Sequence, residues 1–169
     1  VNYYGLSKYA CENMIQNQLN NKKIHYAILR YFNVVGSILK YKIKKKTKSL
    51  LDIIADNITE SRYKININGK KLNTLDGTPE RDFIHISDLC QIHKKVYKYL
   101  KKKEKVVLNC GSGRRYSVLQ IVEGFEKLAN RKFKISHRKN LKHETQTICS
   151  DISLLKKLLK IQIKKNKVS

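Results

Sequence analysis

Residues 83–128 read FIHISDLCQIHKKVYKYLKKKEKVVLNCGSGRRYSVLQIVEGFEKL. Phe83 to Ile86 is a brief extended run. Ser87 or Asp88 is placed to cap a helix through Leu100, with Leu89, Ile92, Val96 and Leu100 turned inward at helical spacing. Val106 to Cys110 reads as a strand, ended by Gly111-Ser112-Gly113. Ser117 and Gln120 form an S-x-x-Q capping box that opens a helix from Val118 to Leu128. Strand and helix alternate, the pattern of an α/β fold with a parallel sheet.

The alternation continues outward. Tyr9 to Leu19 places Ala10, Cys11, Met14, Ile15 and Leu19 on one helical face. Ile24 to Val35 reads as one strand, apolar enough for a buried parallel position. Ser37 to Lys48 reads as a basic loop, and Ser49 to Ile58 has helical period through Leu50, Ile53, Ile54 and Asn57. Ile65 to Asn68 is a short strand, followed by a turn-rich LDGTPE around the only proline, Pro79. Downstream, Phe133 to Ser136 is a strand and Asp151 caps a last helix, Ile152 to Leu159. There is no internal repeat and no Pro/Ser-rich linker. So few strands leave a parallel sheet with uncovered edges. The chain also opens on Val1 rather than Met, so it reads as the back half of something larger.

Composition limits the function. The 169 residues carry a formal net charge of +24, which invites a nucleic-acid reading. Of 37 basic residues, however, 30 are Lys and 7 are Arg, the residue that makes bidentate contacts to bases and phosphates. Lys, Asn and Ile, all with AT-rich codons, make up 63 of the 169 residues. Codon drift accounts for most of the charge, and nucleic acid is not the expected partner. No run of 18 apolar residues suggests a membrane span. Cys11, Cys90, Cys110 and Cys149 are too far apart for a zinc cluster or a CxxC pair. Their apolar neighbours suit small buried thiols in a reduced, cytoplasmic protein. The five histidines lack paired spacing, so no metal is expected.

Chemistry is suggested first by Tyr4-Gly5-Leu6-Ser7-Lys8. A spacing of four puts a phenol and an ammonium on one helical face. An ammonium near a phenol favours the phenolate, a usable general base for a sugar or alcohol hydroxyl. The same spacing also describes an ordinary exposed helix pair in a chain with 10 Tyr and 30 Lys.

Further blocks follow in order: Glu12, LRYFNVVG from Leu29, DGTPERDFIHISDL from Asp76 to Leu89, and LNCGSGRRYSVLQIVEGFEKL from Leu108. This series resembles the UDP-glucose 4-epimerases of the extended short-chain dehydrogenase/reductase family, from residue 2 to about residue 160. The resemblance implies the C-terminal part of a Rossmann-type doubly wound parallel sheet plus a small α/β substrate-binding domain. Residues 1–36 would end the NAD-binding domain. Residues 37–169 would form mainly the sugar-nucleotide domain, with segments such as 82–110 returning to the Rossmann domain. It implies bound NAD, a UDP-sugar substrate and a homodimer in the full-length enzyme.

It also assigns residues. Tyr4 matches the base at the sugar 4-hydroxyl, and Lys8 the lysine on the nicotinamide ribose. Phe32 matches a position beside the nicotinamide, and Asn33 a contact to the nucleotide-sugar. Ser49 and Leu50 match a helix start that touches the sugar nucleotide; Asn66, Ile67 and Asn68 line the uracil pocket. Arg81 matches the arginine that pairs with the diphosphate. Read without the resemblance, Phe32 is equally a core residue. Asn33 would satisfy nearby backbone, and Arg81 would pair with Asp82 or Glu80. The Gly111-Ser112-Gly113 segment lacks the third glycine and the Lys-Ser/Thr of a phosphate loop, and fits a strand-to-helix turn.

The match also departs from the pattern. There is no glycine-rich dinucleotide fingerprint, and the serine or threonine that assists the tyrosine is missing upstream of Tyr4. Counting back from Ser150-Asp151, the arginine and the aspartate expected near the C-terminus become Leu141 and Glu144. Only the acidic partner, Glu144, survives for substrate binding, unless a local shift brings in Arg138 or Lys139. A tyrosine or similar residue is replaced by Ile148. A related nucleotide-sugar dehydratase, an epimerase of another sugar, and a non-catalytic remnant or basic binding module stand as alternatives.

Overall fold

A computed structural model of the chain describes residues 3–20, 22–36, 48–69, 71–102, 105–138 and 145–163. Helix α1 spans Tyr3–Leu19, starting six residues earlier than the periodicity suggested, so it includes Tyr4 and Lys8. None of its residues is buried; Met14 and Ile15, expected on one apolar face, are exposed. The run 24–35 is two strands, not one. Strand β1 (Tyr26–Tyr31) pairs in parallel with β5 (Lys105–Cys110), and β2 (Asn33–Val35) pairs in parallel with β4 (Glu80–His85). The chain changes sheets at Phe32, whose N–H donates to the Cys110 carbonyl at 3.4 Å. The run is less buried than its apolar content suggested: Ile28 alone in β1 is buried, since among the described residues β1 has one neighbouring strand.

Ser49 caps α2 (Leu50–Thr59) and closes a capping box with Asp52. Strand β3 (Lys64–Asn68) pairs in parallel with β7 (Lys134–Arg138). Helix α3 (Ile86–Leu100) begins directly after β4. Its cap is His85, whose ring accepts from the Ser87 N–H; neither Ser87 nor Asp88 caps it, because the helix starts upstream of both. Two strands escaped the sequence reading: β6 (Arg115–Ser117), antiparallel to β4, and β8 (Thr147–Ile148), parallel to β4. At two or three residues neither shows an alternation. Helix α4 (Val118–Ala129) has the Ser117–Gln120 capping box, and α5 (Ser153–Leu159) follows Asp151, whose carboxylate accepts from the Ser153 N–H at 2.8 Å.

The apolar residues form two cores. One joins Ile84, Leu89, Ile92, Val96, Val106, Leu108 and Cys110 to Ile152, Leu155, Leu159 and Ile161 of the α5 region. The other joins Ile54, Ile65, Ile67, Ile121, Val122 and Phe133. Strand β4 lies between them: alternation buries Asp82 and Ile84 on one face and leaves Arg81 and Phe83 half-buried on the other, with Phe83 packed on the second core. Of the cysteines, Cys110 alone is buried; Cys11, Cys90 and Cys149 are exposed, contrary to their apolar neighbours, because each stands on a surface-facing position of its segment.

Candidate functional site

The joint between β1 and β2 is where two clefts meet the chain. On one side a cleft of about 580 Å³ is lined by Phe32, Asn33, Ser49, Leu50, Asn66, Ile67, Asn68 and Arg81, together with Pro79, Phe83 and Val118 among others. These residues come from the β1–β2 joint and β2, the start of α2, β3, β4 with the proline before it, and the start of α4. On the other side a cleft of about 710 Å³ is lined by Tyr4, Lys8, Glu12, Ile28, Leu29, Arg30 and Tyr31 among others. Tyr31 and Asn33 are two residues apart and line different clefts, since the strand break at Phe32 turns the chain between sheets. Both clefts therefore adjoin the C-terminal end of a parallel strand, the usual ligand side of an open α/β sheet.

Each wall of the first cleft has a local cause. The capping box turns Ser49 inward to its own helix: its N–H donates to Asp52 Oδ2 at 2.9 Å, and the Asp52 N–H donates to Ser49 Oγ at 3.3 Å. In β3 the isoleucines point into the second core, which leaves Asn66 and Asn68 on the exposed face. Ile67 is 1% exposed, so its side chain belongs to that core. Asn33 Nδ2 donates to the Asp82 carbonyl at 2.9 Å, so its amide both satisfies backbone and lines the cleft. Phe32 is half-buried at the cleft edge.

Arg81 Nη1 donates to the carbonyls of Glu80 at 2.9 Å and Gln146 at 3.2 Å, which fixes the guanidinium along β4. The carboxylates of its two neighbours are turned to other partners. Glu80 accepts from the Thr147 hydroxyl at 3.0 Å and lies 3.6 Å from Arg115. Asp82 is fully buried, and its oxygens accept from Ser112 N–H (2.8 Å), Ser112 Oγ (2.6 Å), Gly113 N–H (3.0 Å), Ser150 N–H (3.1 Å) and Ser150 Oγ. The Gly-Ser-Gly turn is thus a cradle for a carboxylate, and it leads from β5 into β6 rather than straight into a helix. A Cβ on Gly111 would stand 2.5 Å from Asp82 Oδ2.

The DGTP turn is built by Asp76. Its Oδ1 accepts from Thr78 N–H at 2.9 Å and Thr78 Oγ1 at 2.6 Å, and Oδ2 accepts from Ser117 Oγ, the cap of α4. Burial pushes this carboxyl upward, but the hydrogen bonds from Ser117 and Thr78 outweigh it and hold its pKa below the usual value.

In the second cleft the Lys8 ammonium stands 5.4 Å from the centre of the Tyr4 ring, and the Tyr4 side chain is exposed. The sequence reading missed what holds α1 here. Arg30 Nε donates to Glu12 Oε1 at 2.8 Å, tying the helix to β1 across the cleft. That hydrogen bond lowers the Glu12 pKa against its partial burial. The signal was present as one cation in an otherwise apolar strand and an acid one helical turn after Lys8. Tyr31 also went unassigned: its hydroxyl lies 2.7 Å from His93 Nε2, and burial raises its pKa. Glu144, Leu141 and Lys139 lie outside the described residues; Ile148 is described, on β8 beside Arg81.

Among the described residues no three His, Cys, Asp or Glu side chains group as a metal site, and no helix is long and apolar enough to cross a membrane. The chain is 29% identical over 155 residues to the UDP-glucose 4-epimerase of Rhizobium meliloti, covering 89% of this chain and 47% of the relative. It is 33% identical over 138 residues to that of Homo sapiens, covering 78% and 40%. The fold superposes on the UDP-glucose 4-epimerase of Bifidobacterium longum, solved with NAD+ and UDP, with a TM-score of 0.86, 27% identity, and coverage of 96% of this chain and 50% of that one. The chain thus spans about half the length of the relatives it matches. Residues 1–111, from the Tyr-x-x-x-Lys helix past β4 to the end of β5, fit the model of one family, and the chain belongs to the NAD dependent epimerase/dehydratase family.

Proposed function

We propose that this chain supplies the sugar-nucleotide site and the catalytic tyrosine of a UDP-glucose 4-epimerase, which interconverts UDP-glucose and UDP-galactose with NAD bound. The observation that carries this is the first cleft. Eight residues from four separate segments, each matched to a substrate or nicotinamide role from sequence, line one cavity. On this reading residues 1–36, with segments such as 82–110, belong to the NAD side, and most of 37–169 to the sugar-nucleotide side. A homodimer and galactose metabolism are carried over from the resemblance, and the cytoplasm from the reading of the cysteines as reduced thiols.

The second cleft suits the nicotinamide-ribose end of NAD: a phenol and an ammonium face it with the apolar side chains of Ile28 and Leu29. NAD, held there by Tyr4 and Lys8, would supply hydride acceptance and return at sugar C4. Tyr4, as the phenolate, accepts the proton of the 4-hydroxyl, holds it as a neutral phenol and gives it back, and the Lys8 charge favours the phenolate that starts and ends the cycle. The Glu12–Arg30 pair holds the helix that carries both. Asn33 and the start of α2 orient the sugar nucleotide, Asn66 and Asn68 face the base, and Arg81 pairs with the diphosphate. Glu144 stands for the acid that reads the ribose.

The chain alone binds UDP and does not turn over UDP-galactose, since the first half of the relatives' length supplies the rest of the NAD site. Calorimetric titration with UDP and an assay of bound NAD and UDP-galactose conversion test this. No binding of UDP refutes the cleft assignment; turnover by the 169 residues refutes the inactivity.

A further inference from the structure

Tyr4, Lys8 and Glu12 stand one helical turn apart along α1, and all three line the second cleft. Lys8 therefore has a phenol on the turn before it and a carboxylate on the turn after it, each at the spacing at which helical side chains meet. Glu12 is the only acidic residue among the first 51. Left to itself, that carboxylate is the natural partner of the Lys8 ammonium. The structure turns it the other way. Arg30 Nε donates to Glu12 Oε1 at 2.8 Å and to Oε2 at 3.1 Å, and Arg30 Nη2 donates to Oε2 at 2.5 Å. The Glu12 side chain is left 14% exposed. A guanidinium fork matches both carboxylate oxygens at once, which an ammonium does not. The Lys8 ammonium meanwhile stands over the Tyr4 ring.

Resting on the reading of Tyr4 and Lys8 given above, we infer that Arg30 is a positioning residue: by occupying Glu12 it keeps the Lys8 charge at Tyr4. It acts through Glu12 and is not itself a catalytic residue. Without Arg30 a bare carboxylate stands one turn from Lys8 and draws the ammonium away from the phenol. An ammonium paired in that way no longer favours the phenolate. A plain brace between α1 and β1 behaves differently, because it is lost equally when either partner of the pair is neutralised.

The test is nitration of the chain by tetranitromethane, a reagent that attacks phenolates, at about pH 8, with the modified tyrosines located by mass spectrometry. Tyr3 is the internal reference: it is exposed, and the residue one turn on is Ser7 rather than a lysine. Lys8→Met should lower the ratio of Tyr4 to Tyr3 nitration about twofold, the size of an exposed helical charge pair. Arg30→Gln should lower it as far, because it frees the Glu12 carboxylate. Glu12→Gln breaks the same tie but leaves no carboxylate, so it should keep the ratio of the unaltered chain. The double variant Arg30→Gln with Glu12→Gln should keep that ratio too. An unchanged ratio in Arg30→Gln, an equal fall in Glu12→Gln, or a double variant that stays low overturns the inference alone and leaves the tie a brace. An unchanged ratio in Lys8→Met overturns the pairing of Tyr4 with Lys8 and this inference with it.

Discussion

Replacing Asp82 by alanine tests the joint on which the first cleft depends. The carboxylate is fully buried and accepts five hydrogen bonds, from both groups of Ser112, the Gly113 N–H and both groups of Ser150. Removing it leaves those donors facing a cavity. A buried donor without an acceptor costs ~1–3 kcal/mol. The five costs do not add, since water enters the space and the serine hydroxyls rotate to other acceptors. A net loss of about 3–5 kcal/mol is expected, a large part of the ~5–15 kcal/mol that holds a typical domain. Urea unfolding followed by circular dichroism reads it directly. With a slope of ~1–3 kcal/mol per molar, the midpoint should fall by about 2 M. Asp82→Asn, which keeps one accepting oxygen and turns an NH2 toward the remaining donors, should cost roughly 2 kcal/mol. A loss below about 1 kcal/mol for Asp82→Ala would refute the cradle as a main tie between β4, the Gly-Ser-Gly turn and Ser150.

Other outcomes follow from the same geometry. Gly36 has φ +86° and an added Cβ would stand 2.5 Å from His85 Cδ2, so Gly36→Ala should lower Tm by roughly 4–8 °C, less so in combination with His85→Ala. Burial pushes the Glu126 carboxyl up, but Lys132 and the Phe133 N–H outweigh it and hold its pKa low, as Ser117 and Thr78 do for Asp76. A depressed folded pKa means the unfolded chain takes up protons first as pH falls. Their contribution is therefore full above the unfolded value of ~4 and lost below it, and Glu126→Gln with Asp76→Asn should flatten the acid limb of an unfolding-versus-pH curve. Burial raises the Cys110 thiol to about 11, so alkylation at about pH 8 read by mass spectrometry should modify Cys11, Cys90 and Cys149 and reach Cys110 only on unfolding.

Helices were legible where their signals are local. The Ser117 cap, the helical period of 49–58 and the spacing of Leu89, Ile92 and Val96 all act within a few turns, and the structure has those helices. The α3 cap was misplaced because a histidine ring did what a serine or aspartate usually does. In the site, motif order named residues that line the first cleft, but not the Glu12–Arg30 tie or the pairing of β3 with β7. A salt bridge 18 residues apart and a strand register leave no periodicity to read.

The sequence by itself determined the alternation of helix and strand, the α/β class and which residue types carry the chemistry, because these follow from spacing along the chain. Tertiary structure alone decided that residues 24–35 divide at Phe32 between two sheets, so that Tyr31 and Asn33 line different clefts. It also decided that Asp82 turns inward while Arg81 faces the cleft. The reason is the range of the forces: capping and periodicity act over a few residues. Strand pairing and a buried carboxylate's demand for donors are satisfied by partners 30 to 79 residues away, such as Ser112, Ser150 and the β5 partners of β1.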